Sequence, residues 1–211
     1  KMNFVSIFLD EPVLFWVHDY LVSDTLTYVF KLFSTIGNLG AIWIVVGLLL
    51  LYWKKYRRAG IAVFVALFFS LLVGNGILKH LVMRMRPCFD YPWISLLVNR
   101  PAVNDFSFPS GHTFGSFAAA TAMSRAIGNK KAIAAFLLGT IIGFSRIYFF
   151  LHYPSDVLAG AALGVGFGTL AWYVAGMIAE EVEKVLKKRG VIGVHADPPK
   201  ENNQLPAEST K

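Results

Sequence analysis

Three short stretches of the chain concentrate side chains that can hold an anion and move a proton. The first is "KHLVMRMRP", residues 79–87, in which Lys79 and Arg86 stand seven positions apart. On a continuous helix that is two turns, so both side chains point the same way and Arg84 projects elsewhere. The second is "PSGH", residues 109–112, at the head of an apolar, helix-favouring run. Here Ser110 is a favoured N-cap, Gly111 lets the backbone approach a ligand closely because it lacks a Cβ, and His112 stands at the helix mouth. The third is "SRIYFFLHYPSD", residues 145–156, with Ser145 and Arg146 ahead of His152 and Asp156 opening another helix. Singly, each has a plain structural reading: lysines and arginines snorkel at span ends, and serine and aspartate cap helices. Together, Lys79, Arg86, Arg146 and free N–H groups at a helix start make an anion site, for which phosphate is the usual occupant. Two histidines and a carboxylate add a nucleophile and an acid.

The elements that must carry these residues are apolar helices. Of the 211 residues 55% are hydrophobic and 16% charged, and the net charge is +7. The basic residues sit between apolar runs, a pattern of membrane orientation rather than of nucleic-acid binding. Five runs read as crossings: Leu39–Trp53, Gly60–Leu78, Thr113–Ile127, Ala132–Phe150 and Val157–Ala179. Threading them puts three basic clusters on one side: Lys54, Lys55, Arg57 and Arg58; Arg125, Lys130 and Lys131; and Lys184, Lys187, Lys188 and Arg189. That side is expected to be the cytoplasm. Residues 79–112 and 151–156 then share the opposite face.

Residues 1–38 read as interfacial amphipathic helices, Phe4–Tyr20 and Thr25–Ile36, with a sixth crossing within 12–36 as the alternative. Residues 39–189 read as the membrane-embedded core. Residues 190–211 are polar, with Pro198, Pro199 and Pro206, and read as a disordered cytoplasmic tail. The single cysteine, Cys88, excludes an internal disulfide. Gly160, Gly164 and Gly168 recur every four residues and predict close helix contact. Asn75, one turn before Lys79, either bonds across helices or orients that lysine.

At these residues the chain resembles the type 2 phosphatidic acid phosphatases (PAP2), membrane lipid phosphatases that share a core with vanadium haloperoxidases. Lys79 to Arg86-Pro87 matches the lysine, six residues, Arg-Pro motif. Residues 109–112 match Pro-Ser-Gly-His, and Ser145-Arg146, His152 and Asp156 match the third motif. The resemblance spans roughly residues 39–180. It implies an all-α, polytopic helix bundle of five to six transmembrane helices. It also implies His152 as nucleophile forming a phosphohistidine, Asp156 accepting from its other ring nitrogen, and His112 as acid and then base. Lys79, Arg86, Arg146, Ser110 and the N–H groups of Gly111 and His112 would hold the phosphate.

The scheme needs no metal or other cofactor, and Asp90, Asp105 and Asp156 are too scattered for a magnesium cluster. The expected partners are a membrane lipid phosphate and the bilayer, with no nucleic acid; oligomeric state stays open. The expected activity is dephosphorylation of a lipid phosphate or diphosphate, undecaprenyl diphosphate preferred, on the outer face of a bacterial inner membrane. Phosphatidylglycerophosphate and phosphatidic acid are the alternative substrates. A vanadate-dependent haloperoxidase and a transporter are the competing classes. Transporters gather polar residues at the midplane, whereas here they gather at one rim.

Overall fold

The computed structural model describes residues 5–189, which are helical with short connections and, among the described residues, contain no strand. A π-helical turn, Ser6–Asp10, leads into α1 (Glu11–Leu21), which has a proline in its first turn, where a missing N–H costs nothing. Ser23 caps α2 (Asp24–Gly37) by accepting from the Leu26 N–H at 3.4 Å. Leu39 and Gly40 take φ of 53° and 70°, a left-handed step that bends the chain into α3 (Ala41–Tyr52). Next come α4 (Arg57–Phe69), a π-helical stretch Ser70–Leu78, and the short α5 (Lys79–Val82). A second short helix, α6 (Pro87–Asp90), opens the loop to α7 (Gly111–Ile127). The chain ends in α8 (Asn129–Tyr148) and α9 (Pro154–Lys188).

Among the described residues four stretches are long and apolar enough to cross a membrane: Asp24–Tyr52, Lys54–Asp90, Asn129–Tyr148 and Pro154–Lys188. The expected amphipathic helix at 25–36 and the expected crossing at 39–53 thus lie in one apolar stretch, because the bend at Leu39 and Gly40 costs only a single turn. The one expected crossing outside these stretches, Thr113–Ile127, is α7. Its 17 residues rise about 26 Å, less than the ~30 Å hydrocarbon core. It is the central helix of the bundle: Phe114, Ala118, Ala119, Ala120 and Ala122 are fully buried.

Small residues explain how α7 can be so enclosed. A Cβ on Gly160 would lie 2.8 Å from the Ser110 carbonyl oxygen, and one on Gly164 would lie 2.8 Å from that of Phe114. The expected glycine stripe therefore holds α9 against the α7 backbone. Between apolar helices in lipid such contact replaces the hydrophobic drive available in water. Leu14 and Val17 of α1 pack with Ile147, Phe149, Phe150 and Leu151. The N-terminal helices thereby join the compact unit that runs to Ala179. From Glu180 onward a second unit begins, in which Lys184 and Lys187 pair with Glu181 and Glu183. The tail expected at 190–211 lies outside the described residues.

One expectation about geometry is corrected. Lys79 and Arg86 do not share a helix face, because α5 stops at Val82 and Met83 turns left-handed with φ 48°. Arg86 is extended (φ −81°, ψ 152°), as the residue before a proline favours. The two cations are brought together by other means.

Candidate active site

What joins them is Asp105. Lys79 Nζ donates to its Oδ1 at 2.6 Å, and Arg86 donates from Nη2 to its Oδ2 at 2.9 Å and from Nε to its carbonyl oxygen at 2.7 Å. Burial works against this carboxylate, but the Lys79 ammonium and the Arg86 guanidinium outweigh it and hold the Asp105 carboxyl below its ordinary range. Two of the cations expected to hold a phosphate, Lys79 and Arg86, are thus brought together around a carboxylate.

The remaining Arg86 nitrogen, Nη1, donates to the Leu151 carbonyl at 2.9 Å and stands 2.9 Å from His152 Nε2. A guanidinium has no acceptor, so Nε2 must be the acceptor and carries no proton. The neutral ring's proton is therefore on Nδ1, and the Nε2 lone pair is engaged by Arg86, which must release it before Nε2 can act as a nucleophile. Burial first, then the charges of Arg86, Arg146 and Lys79, hold the His152 imidazole well below its ordinary range, in the free-base form. The ring is placed by a tight turn after α8. Phe150 takes φ 59°, and the Leu151 and His152 N–H groups both return to the Arg146 carbonyl.

The Nδ1 side differs from expectation. Asp156 Oδ2 lies 3.7 Å from Nδ1, too far for the direct hydrogen bond expected. Ser107 stands between them, its Oγ 3.4 Å from Nδ1 and donating to Asp156 Oδ2 at 2.5 Å. Oδ2 also accepts the Tyr153 N–H at 2.8 Å. Asp156 sits in the first turn of α9 and reaches back one turn, rather than standing before the helix as its cap.

The other expected groups arrive by three helices. The chain enters α7 through a cis Phe108–Pro109 bond, and Ser110 is its N-cap. Ser110 is fully buried and its Oγ accepts from Thr113 Oγ1 at 2.9 Å, so the hydroxyl is engaged inside the protein. Gly111 and His112 follow, with the orphan N–H groups of a helix start. A Cβ on Gly111 would come 3.0 Å from Asn75 Oδ1, a buried oxygen with no partner. Asn75 therefore makes neither of the two contacts expected of it. His112 Nε2 donates to Asn38 Oδ1 at 2.9 Å. Arg146, on α8, bonds Ser34 of α2 through Nη1 and leaves a buried Nε unpaired.

Arg86, Asp105, Gly111, His112 and Arg146 line the polar end of a cavity of about 540 Å³. Its other end is apolar, walled by Trp43, Ile44, Phe64, Leu67, Phe68 and Leu71. Phe68 and Leu71 are exposed on the helix surface, so the cavity meets the side of the bundle rather than only its end. Among the described residues no group of three His, Cys, Asp or Glu side chains is placed to hold a metal ion.

The sequence reading missed Asp105 and Ser107, although both adjoin the 109–112 motif. It dismissed Arg84, which donates from Nη1 to Asp156 Oδ1 at 2.8 Å. It had no signal for Asp10 or Asn38, whose roles depend on the packing of the N-terminal helices.

The chain is 37% identical over 123 residues to the decaprenylphosphoryl-5-phosphoribose phosphatase of Mycobacterium tuberculosis, covering 58% of this chain and 63% of that one. It is 28% identical over 148 residues to an undecaprenyl-diphosphatase of Sulfolobus acidocaldarius, covering 69% and 70%. The fold matches the crystal structure of a transmembrane PAP2-type phosphatidylglycerolphosphate phosphatase from Bacillus subtilis. That match has a TM-score of 0.65 at 22% identity and covers 86% of this chain and 89% of the other. The model of the PAP2 superfamily matches residues 59–179, the region that holds all three motifs, and the chain belongs to that superfamily.

Proposed function

We propose that this chain is a membrane phosphatase that removes phosphate from a polyprenyl-type lipid phosphate or diphosphate, undecaprenyl diphosphate foremost, through a phosphohistidine on His152. The observation that carries the reading is the cavity, with cations and a histidine at one end and aromatic and aliphatic walls at the other. A phosphate headgroup fits the first and a hydrocarbon chain the second. The two curated relatives bearing polyprenyl names support that class over a diacyl lipid.

In this mechanism the phosphoryl group displaces Asp105 from Lys79 and Arg86, and Arg146 turns its free Nε toward it. His152 Nε2 attacks phosphorus, forming a P–N bond as the P–O bond to the leaving group breaks. His112, as the imidazolium with protons on both ring nitrogens, donates its Nε2 proton to the departing oxygen and becomes neutral. Water then gives a proton to His112 and its oxygen attacks phosphorus, breaking the P–N bond and releasing phosphate. Charge gathers on the non-bridging oxygens in both steps, where the cations and the Gly111 and His112 N–H groups are already placed. The positive ring of phospho-His152 faces Ser107 and Asp156. No step uses a metal ion.

The site belongs, in this reading, on the extracytoplasmic side of a bacterial inner membrane. Phosphate release by purified protein from undecaprenyl diphosphate, phosphatidylglycerophosphate and phosphatidic acid tests the proposal. The first is expected to turn over fastest, and His152→Ala to release nothing from any. Release by His152→Ala equal to the parent's removes the mechanism.

A further inference from the structure

Arg84 is held between two carboxylates, and one of them comes from far outside the motifs. Its Nη2 donates to Asp10 Oδ2 at 2.6 Å; its Nη1 donates to Asp156 Oδ1 at 2.8 Å and to Ser155 Oγ at 2.7 Å. The guanidinium lies over the Tyr153 ring, 3.9 Å from its centroid, and Tyr153 is fixed in turn by a 2.6 Å bond from its hydroxyl to Asp90. Asp10 is completely buried. Its Oδ1 accepts the Ser155 N–H and its Oδ2 the Ser155 hydroxyl, both at 2.8 Å. It therefore caps the first turn of α9 from another part of the chain, beside Asp156. A buried carboxylate with three donors is a built feature, since burying an uncompensated charge is among the costliest things a fold can do.

The placement has a chemical consequence. Asp156 has one oxygen facing His152 and Ser107 and the other bound to Arg84. With Arg84 alone, the Asp156 charge would be neutralised as seen from the imidazole. With Asp10 on the far side, the three groups sum to one negative charge. The other charges about His152 are Arg86, Arg146, Lys79 and Asp105, with the titratable His112 nearby, so this triad adds its negative charge to that of Asp105 against the three cations of the cradle.

We infer that Asp10 and Arg84 are positioning residues for the His152–Asp156 pair, so that the segment before residues 59–179 completes the site. The inference rests on His152 acting as the proposed nucleophile. Asp10 and Arg84 touch neither substrate nor His152; they act through Asp156, by fixing its carboxylate and by setting the charge that stabilises a positive ring.

The test compares Asp10→Asn, Arg84→Gln and the double variant of the full-length protein in detergent, with undecaprenyl diphosphate as substrate. Asp10→Asn keeps an oxygen for the Ser155 N–H, so it carries the test even where Arg84→Gln does not fold. Each single variant is expected to lose about ten- to hundredfold in kcat with KM held. The double variant should lose less than the product of the two. The pH profile separates positioning from mere stability, and dividing each variant's kcat/KM by the parent's cancels the ionisation of the substrate. Removing a negative charge lowers the pKa of His152, so the Asp10→Asn ratio should rise toward acid pH. Removing the positive charge raises it, so the Arg84→Gln ratio should fall. Ratios independent of pH, or a kcat equal to the parent's in Asp10→Asn, overturn the inference while an inactive His152→Ala leaves the mechanism standing. Parental turnover by His152→Ala removes both.

Discussion

At the residue scale, the proposed mechanism is an exchange of partners on two cations. Arg86 has donors to Asp105, Leu151 and His152 before any substrate arrives. A phosphoryl group must therefore compete with Asp105 rather than fill an empty cradle. Because its cationic partners hold the Asp105 carboxyl below its ordinary range, the competitor stays charged at every working pH. Asp105→Asn should accordingly tighten inhibition by orthovanadate, by roughly tenfold if one charge-assisted contact is given up. Weaker inhibition would mean that Asp105 holds Lys79 and Arg86 in place instead of excluding the anion. His112→Ala should slow the chemical step by about two to four orders of magnitude on an alkyl phosphate. The loss should be smaller on nitrophenyl phosphate, whose leaving group needs no proton. Equal losses on both would assign His112 some task other than the acid's.

One part of the pH dependence of stability can be assigned to a single residue. His152 is buried as the free base, and its pKa is depressed from an ordinary 6.5. As the pH falls below that value the unfolded chain takes up a proton that the folded chain refuses. Stability must therefore drop through the window between the ordinary and the depressed value. A thermal-melt series across that window should show the fall, and His152→Gln should make it shallower. A slope that His152→Gln leaves unchanged would place the proton uptake on another group.

At the scale of elements, the three motifs are legible in the sequence because each must keep its residue types at fixed spacing. The apolar runs are legible because lipid demands them. What could not be read was how those residues meet. A seven-residue interval suggests two helical turns for Lys79 and Arg86, but Met83 ends the helix, and the pair is joined through Asp105 in the following loop. The family resemblance implies a direct bond from His152 to Asp156, but Ser107 from that same loop intervenes. Asp10 sits in a segment whose acids look like interruptions of an apolar run; only the docking of α1 on the end of α8 shows that it is buried. The glycine stripe was legible in full, and it makes a paired prediction. Gly164→Leu would drive a Cβ to within 2.6 Å of Phe117 Cβ, whereas a Cβ on Gly166 meets nothing within 4 Å. Overpacking of this kind costs about 1–3 kcal/mol or more. Gly164→Leu should thus lower the melting temperature in detergent or abolish the folded peak on size exclusion, and Gly166→Leu should do neither. Equal behaviour of the two would mean that α9 does not lie against α7 along this stripe.

At the scale of the whole molecule, charge and chemistry occupy opposite ends of the same helices. Gly111 and His112 begin α7 at the site, and Arg125 lies near its other end, stacked 5.6 Å from the centroid of Tyr173. Arg58, in the first turn of α4, lies over the neighbouring Trp172 at 4.2 Å, whereas Lys79 follows at the far end of the same rod. Two of the three basic clusters therefore share one level of the bundle, beside residues 172 and 173. The length of α7, about 26 Å, separates that level from the cradle. If basic residues face the cytoplasm, a cysteine at Asn129, just past α7, must be shielded from a membrane-impermeant maleimide in intact cells. One at Asn104, exposed in the loop beside Asp105, must be labelled. The native Cys88 is buried and should contribute little background. Both positions should react once the membrane is permeabilised, which shows that shielding reflects sidedness and not packing. Labelling of the Asn129 position alone in intact cells would put the cradle in the cytoplasm and restrict the substrate to lipids of the inner leaflet.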